Sequence, residues 1–142
     1  MMNNMKTVLL FGTFDFLHSG HIFTFEEAKK LGDVLVVSVA RDIAIETIKG
    51  KKPLHSEEER LALVNHINIV EDAFLGDEKL GVYSFFEKFF PDIIALGYDQ
   101  DALKEDVETF IVEHKYMTKC VTLPAYKNGE TTSSKIKESL AL

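Results

Sequence analysis

Five short apolar runs, each separated from the next by a polar or helically spaced stretch, limit what this chain can fold into. They are "TVLLF" from Thr7, "DVLVVSVA" from Asp33, "DAFLG" from Asp72, "DIIALG" from Asp92 and "KCVTLP" from Lys119. The runs are rich in β-branched residues and do not alternate apolar with polar, the pattern of strands buried on both faces. Between them the period changes. Ile22, Phe25, Ala28 and Leu31 recur every three residues after Ser19. Ser56 and Glu59 form a capping box that opens a second helix. Val82, Phe85, Phe86, Phe89 and Phe90 stand at helical spacing up to Pro91, and predict an amphipathic helix that meets the core or a subunit interface. Leu103, Val107, Phe110 and Ile111 mark a further helix, and "TTSSKIKESLAL" a closing one. "RDIAIETIKGKKP" reads as a polar, lysine-bearing connection closed by Pro53.

Strands alternating with helices predict an α/β fold: a doubly wound, five-stranded parallel sheet in a single domain, residues 1–142. At 142 residues the chain is long enough for one sizeable core. A net charge of −7 argues against a nucleic-acid groove, which needs a broad basic face. It leaves room for a small anionic ligand held locally. The lone Cys120 excludes an internal disulfide and a cysteine-based zinc site, and reads as a buried strand thiol. No apolar run approaches the length of a membrane span, and "MMNNMKTVLLFG" is too short for a secretory signal; the expected location is the cytoplasm.

Doubly wound sheets bind ligands beyond the carboxyl ends of the strands, where strand order reverses. Three glycine-bearing turns fall there: "GTFDFLHSGH", "GYDQ" and "PAYKNGETTSS". In the first, His18 stands just ahead of a helix and His21 in its first turn, with Gly20 between them. A helix entrance offers N–H donors and partial positive charge to phosphate, and two imidazoles beside it can donate to phosphate oxygens. The pair could instead be metal ligands, but two are too few for a closed zinc site. A lone histidine there would read as a cap. The pair, with glycine between and a strand before, points to function.

Asp15 reads as local turn chemistry. Lys49, Lys51 and Lys52 lie on a connection that either folds over the site or stays solvated, with Lys52 the first candidate for a phosphate contact. Arg41 and Arg60 are weaker candidates. His55, His66 and His114 have no partner visible in the sequence.

"GTFDFLHSGH" resembles the HxGH-bearing signature of the cytidylyltransferase-like nucleotidylyltransferases, and "KNGETTSSKIK" resembles their second signature, RTEGISTT. Lys127 stands where arginine is usual, and the glycine shifts to Gly129. Within that superfamily the chain is most similar to archaeal-type FAD synthetases. "VARD", "IKGKKP" and above all "PDIIALGYDQ" carry that likeness. Glycerol-3-phosphate cytidylyltransferases typically have an aspartate-tryptophan pair where this chain has Tyr98-Asp99-Gln100.

The resemblance implies a Rossmann-like fold, ATP and FMN as substrates, a divalent cation such as Mg²⁺, a homodimer, and transfer of AMP from ATP to FMN without a covalent enzyme intermediate. It implies that Thr13 and Phe14 hold the nucleotide through their backbone and side chains, and that His18 and His21 are catalytic. Ser19 and Gly20 would lie against phosphate, Asp99 and Tyr126 by the adenosine, and Thr132, Ser133 and Ser134 at the β- and γ-phosphates. It assigns no metal ligand. Nucleotidyl transfer to glycerol 3-phosphate or a sugar phosphate is the alternative acceptor reading. A non-catalytic nucleotide-binding module is the alternative of a different class.

Overall fold

The computed structural model describes residues 5–126. Five strands form one sheet: β1 (Thr7–Gly12), β2 (Val34–Val39), β3 (Asp72–Leu75), β4 (Ile93–Leu96) and β5 (Lys119–Thr122). Their order is β3-β2-β1-β4-β5, and every neighbouring pair is parallel. All five apolar runs therefore become strands, as their composition demands.

Among the described residues four helices cross between the strands: α1 (Ser19–Lys29), α2 (Asp42–Lys49), α3 (Glu57–Asn65) and α4 (Asp101–Glu113); the expected closing helix, "TTSSKIKESLAL", lies outside them. Phe25 and Ala28 of α1 and Val64 of α3 pack on Val8, Leu10, Leu35 and Val37 on one face of the sheet. Val107 and Ile111 of α4 pack with Phe85 and Phe86 on Leu9, Ile94 and Leu96 on the other. Neighbouring positions along β1 thus point into opposite cores, which is why the run carries no polar alternation. The chain winds outward to β3, returns past β1 and continues through β4 to β5. The switch point lies between β1 and β4.

Two segments differ from their sequence reading. "RDIAIETIKGKKP" contains a helix, α2, with Ala44 and Ile45 buried. It ends at Gly50, whose φ of 75° is the left-handed conformation of a helix C-terminus. Its start is held from outside: Glu57 accepts the Asp42 N–H at 2.8 Å, while Asp42 accepts the Glu57 N–H at 3.3 Å. These two helix entrances cap each other across 15 residues, and helical periodicity within the segment does not register that support.

The phenylalanine stripe, conversely, forms only a 3₁₀ turn over Ser84–Glu87. Gly81 and Tyr83 both have positive φ, 79° and 49°, so no helix can run through them. Asp77 accepts the N–H and hydroxyl of Ser84 and fixes the start of the turn there. Phe85 and Phe86 are buried, but Val82 and Phe90 stay exposed.

Candidate functional site at the switch point

The turn after β1 is built on a close approach. A Cβ on Gly12 would stand 2.4 Å from the Phe14 ring, so only glycine lets that ring fold back over the strand end. Phe14 itself has a φ of 53° and Phe16 one of 59°. Non-glycine residues rarely adopt this conformation, and such strain concentrates at functional turns. The Phe14 side chain is buried, 5.0 Å from the Phe25 ring and 5.6 Å from that of His21. What Phe14 can offer a ligand is its backbone, not its side chain.

His18 is the N-cap of α1 and His21 its third residue. The Nδ1 of His18 accepts the Gly20 N–H at 3.0 Å, and the Nδ1 of His21 accepts the His18 N–H at 3.2 Å. The two rings lie 4.0 Å apart. With both Nδ1 atoms accepting, each neutral ring carries its proton on Nε2. His18 Nε2 is buried and has no hydrogen-bond partner among the described residues. An unmet buried donor costs about 1–3 kcal/mol, and a ligand oxygen would relieve that cost. Burial lowers the His18 pKa. In His21, burial and the neighbouring His18 together lower it to about 4, against a small opposing pull from Asp15. Both rings are therefore neutral at physiological pH in the ligand-free protein. No acidic residue stands in the first turn of α1, so no carboxylate of the helix itself competes with an anion for its entrance.

The surrounding edge is cross-linked by residues the sequence reading undervalued. Arg60 is fully buried. Its guanidinium donates to the carbonyls of Thr13, Ala40 and His55 at 2.9, 2.7 and 3.1 Å, and to Asp42 at 2.6 Å. It ties together the ends of β1 and β2, the entrance of α2 and the loop before α3. Its position four before Val64 on the buried face of α3 is the signal that could have revealed it. Arg41 donates to the Gly76 carbonyl at 2.7 Å and pairs with Glu57 at 3.1 Å. Asp15 is not local turn chemistry. Its buried carboxylate accepts the N–H groups of Leu54 and His55 at 2.7 and 2.9 Å, 39 and 40 residues away. That contact draws the end of the lysine-bearing loop to the histidine turn, while the Lys49, Lys51 and Lys52 side chains remain exposed.

Across the switch point, Gln100 accepts the Gly97 N–H at 2.7 Å and donates to the Phe11 carbonyl at 3.3 Å, bracing the ends of β4 and β1. Asp99 is exposed on that turn, and Ser19 is exposed at the start of α1. Tyr126, beyond β5, packs 5.2 Å from Phe23 of α1, which brings the chain after β5 alongside the histidine helix. Thr132, Ser133 and Ser134, with Lys127, Gly129 and Thr131, lie outside the described residues.

The remaining histidines are accounted for without a ligand. His66 and His114 bond the carbonyls of Ala62 and Phe110, each at 2.8 Å, and His55 stands 3.7 Å from Glu59. Cys120 is half-buried rather than buried, and burial raises its thiol pKa to about 11, leaving it inert. Among the described residues no group of three or more His, Cys, Asp or Glu side chains is placed to hold a metal ion, and no helix is long and apolar enough to cross a membrane.

A doubly wound parallel sheet with strained, imidazole-bearing turn at its switch point defines a class: α/β domains that take their ligand at the carboxyl edge. The chain belongs to one family of that class, the cytidylyltransferase-like proteins, whose model matches residues 9–139. It is 43% identical over 138 residues to the FAD synthase of Methanosarcina barkeri, covering 96% of this chain and 97% of that one. With the FAD synthase of Ferroglobus placidus it shares 42% over 131 residues, 92% and 84% of the two chains. A lipopolysaccharide core biosynthesis protein from Thermoplasma volcanium superposes with a TM-score of 0.77 at 41% identity, over 87% of this chain and 99% of that one. A pantoate-beta-alanine ligase from Francisella tularensis superposes with a TM-score of 0.56 at 17% identity, over 98% and 70%, a likeness of fold alone.

Proposed function

We propose that this protein is an FAD synthase, an FMN adenylyltransferase that joins AMP from ATP to FMN. An oxygen of the FMN phosphate attacks the α-phosphorus of ATP in line, the bond from that phosphorus to the bridging oxygen of the β-phosphate breaks, and pyrophosphate leaves. Such reactions depend on positioning and on stabilising charge at phosphoryl oxygens. The observation that carries the reading is the mutually capped His18–His21 pair at the entrance of α1, with the His18 Nε2–H unpartnered among the described residues. Its match to curated FAD synthases over nearly the whole chain supplies the substrate class.

In this reading the Nε2–H groups of His18 and His21 donate to phosphate oxygens as charge develops there. Ser19 and Gly20 lie beneath the phosphates, the Thr13 and Phe14 backbone borders the nucleotide, and Asp99 and Tyr126 flank the adenosine. Thr132, Ser133 and Ser134 meet the β- and γ-phosphates, and Lys52 reaches a phosphate from its loop. A divalent cation, Mg²⁺, offsets triphosphate charge. The donor set fits a cation carried in on the triphosphate rather than one caged by protein, because the carboxylate nearest the turn, Asp15, is committed to two backbone amides. The enzyme is cytoplasmic and homodimeric.

The lipopolysaccharide-related name of the Thermoplasma structure favours a second reading, transfer to a sugar phosphate. Both are tested by supplying ATP or CTP with FMN, glycerol 3-phosphate or sugar phosphates and identifying products by mass. FAD from ATP and FMN is the expected product. A nucleotide-sugar or a CDP-polyol, with no FAD, would overturn the assignment. Nucleotide binding without turnover of any pair would leave a binding module.

A further inference from the structure

A cavity of about 970 Å³ is on the sheet face away from α1, over β1, β2 and β3. Its volume suits a drug-sized organic ligand, and its lining brings together the aromatic side chains of Phe11, Phe74, Tyr83 and Phe85 beside Val36, with Asp72, Asp77 and Asp106 among its polar groups. The rings support one another, Phe11 standing 5.9 Å from Phe85 and 6.1 Å from Tyr83. Three exposed apolar side chains form its rim, Ile48 at 66%, Leu80 at 56% and Val82 at 44% exposure. An apolar rim around an open apolar cavity marks a ligand or partner site. In the wall from Gly81 to Ser84, Gly81 and Tyr83 have left-handed backbone, and side-chain bonds hold it on both sides, Tyr83 donating to Asp106 and Ser84 to Asp77.

The cavity does not contact His18 or His21, but it is continuous with their turn. Gly12 and Thr13 line it from β1, and Gln100 lines it from across the switch point. A molecule seated there can send one end over the carboxyl edge toward the entrance of α1. Glycerol 3-phosphate or a sugar phosphate would leave these aromatic walls unused. A flat, largely apolar tricyclic ring on a polyol phosphate chain fits both the walls and the route.

We propose that this cavity holds the isoalloxazine ring of FMN, its ribityl chain crossing the edge at Gly12 and Thr13 and its phosphate reaching the α-phosphate of ATP. The inference rests on the FMN adenylyltransferase reading and deepens it by naming the acceptor's subsite. Adenosine, at Asp99 in that reading, leaves the β1–β3 side to the acceptor.

The test uses Leu80→Glu and Ile48→Glu, exposed positions where a charge does not disturb the core. Steady-state FAD formation, FMN fluorescence titration, melting temperature and sedimentation are measured for both and for wild type. Each variant should raise KM for FMN about tenfold or more while leaving KM for ATP and the melting temperature unchanged. Quenching of flavin emission by the aromatic walls should weaken in step. If wild type forms FAD and both variants keep its KM for FMN, the cavity is not the flavin site. A changed oligomeric state with an unchanged KM for FMN would give the cavity to a second copy of the chain and overturn the proposal. If wild type forms no FAD at all, the functional reading falls, and the subsite with it.

Discussion

His18 and His21 stabilise each other before any ligand arrives: the His18 backbone N–H bonds the His21 ring, and the His18 ring bonds the N–H of Gly20. Each ring thereby spends Nδ1 on the helix and keeps the Nε2 proton. Replacing either with alanine should lower kcat by about a hundredfold or more, the scale of losing one transition-state donor. His18→Asn should preserve the cap and the melting temperature while losing turnover, because asparagine is a good N-cap but places no donor at the Nε2 position. Steady-state rates paired with thermal melts check this. Unchanged rates in both alanine variants would remove the histidines from the chemistry.

Acid should expose the same pair. An unfolded imidazole titrates near 6.5, whereas burial holds His21 at about 4. Between those values the unfolded chain binds the extra proton and the folded chain does not, so stability rises with pH through the window and is lost on acidification. The melting temperature should be flat above neutrality and fall from about pH 6.5 toward 4. His21→Gln, which cannot titrate, should show a shallower fall. Parallel curves for the two proteins would mean that His21 is not held neutral.

Gly12→Ala should misplace the turn without unfolding the sheet. The added methyl would collide with the Phe14 ring at 2.4 Å. Overpacking of this kind costs about 1–3 kcal/mol, and the displaced ring lies against His21. A modest drop in melting temperature with a large loss of kcat is expected. Retained activity would show that the ring's place is incidental.

Arg60→Ala should be chiefly a stability mutation. It strips donors from three carbonyls and leaves the Asp42 carboxylate without its cation. Removing one partner from a buried pair costs about 3–5 kcal/mol. Asp42 is one-third exposed, so the lower end is expected. Arg60→Lys should recover little, since an ammonium cannot reproduce the guanidinium fork that spans these acceptors. Urea denaturation of the variants measures both effects.

The fold was legible because a strand buried on both faces needs an unbroken apolar run, and no other use of "LLF" or "VLVV" is as economical in a chain this size. Ser56–Glu59 was legible for a related reason: a capping box is local, and its bonds form where its spacing predicts. The Phe85–Phe89 stripe misled because helical spacing records which residues share a face over one turn. It does not record that Gly81 and Tyr83 bend the chain before it.

Sequence alone determined the five strands, their wrapping by helices, and the carboxyl edge on which His18 and His21 stand, because these follow from local periodicity and from rules of connection. Tertiary structure alone decided that Asp15 holds a loop 40 residues away, that Arg60 is a buried fastener, and that a cavity with aromatic lining lies over β1, β2 and β3. Each of those depends on side chains far apart in sequence competing for the same donors or the same space, and no local pattern encodes the winner.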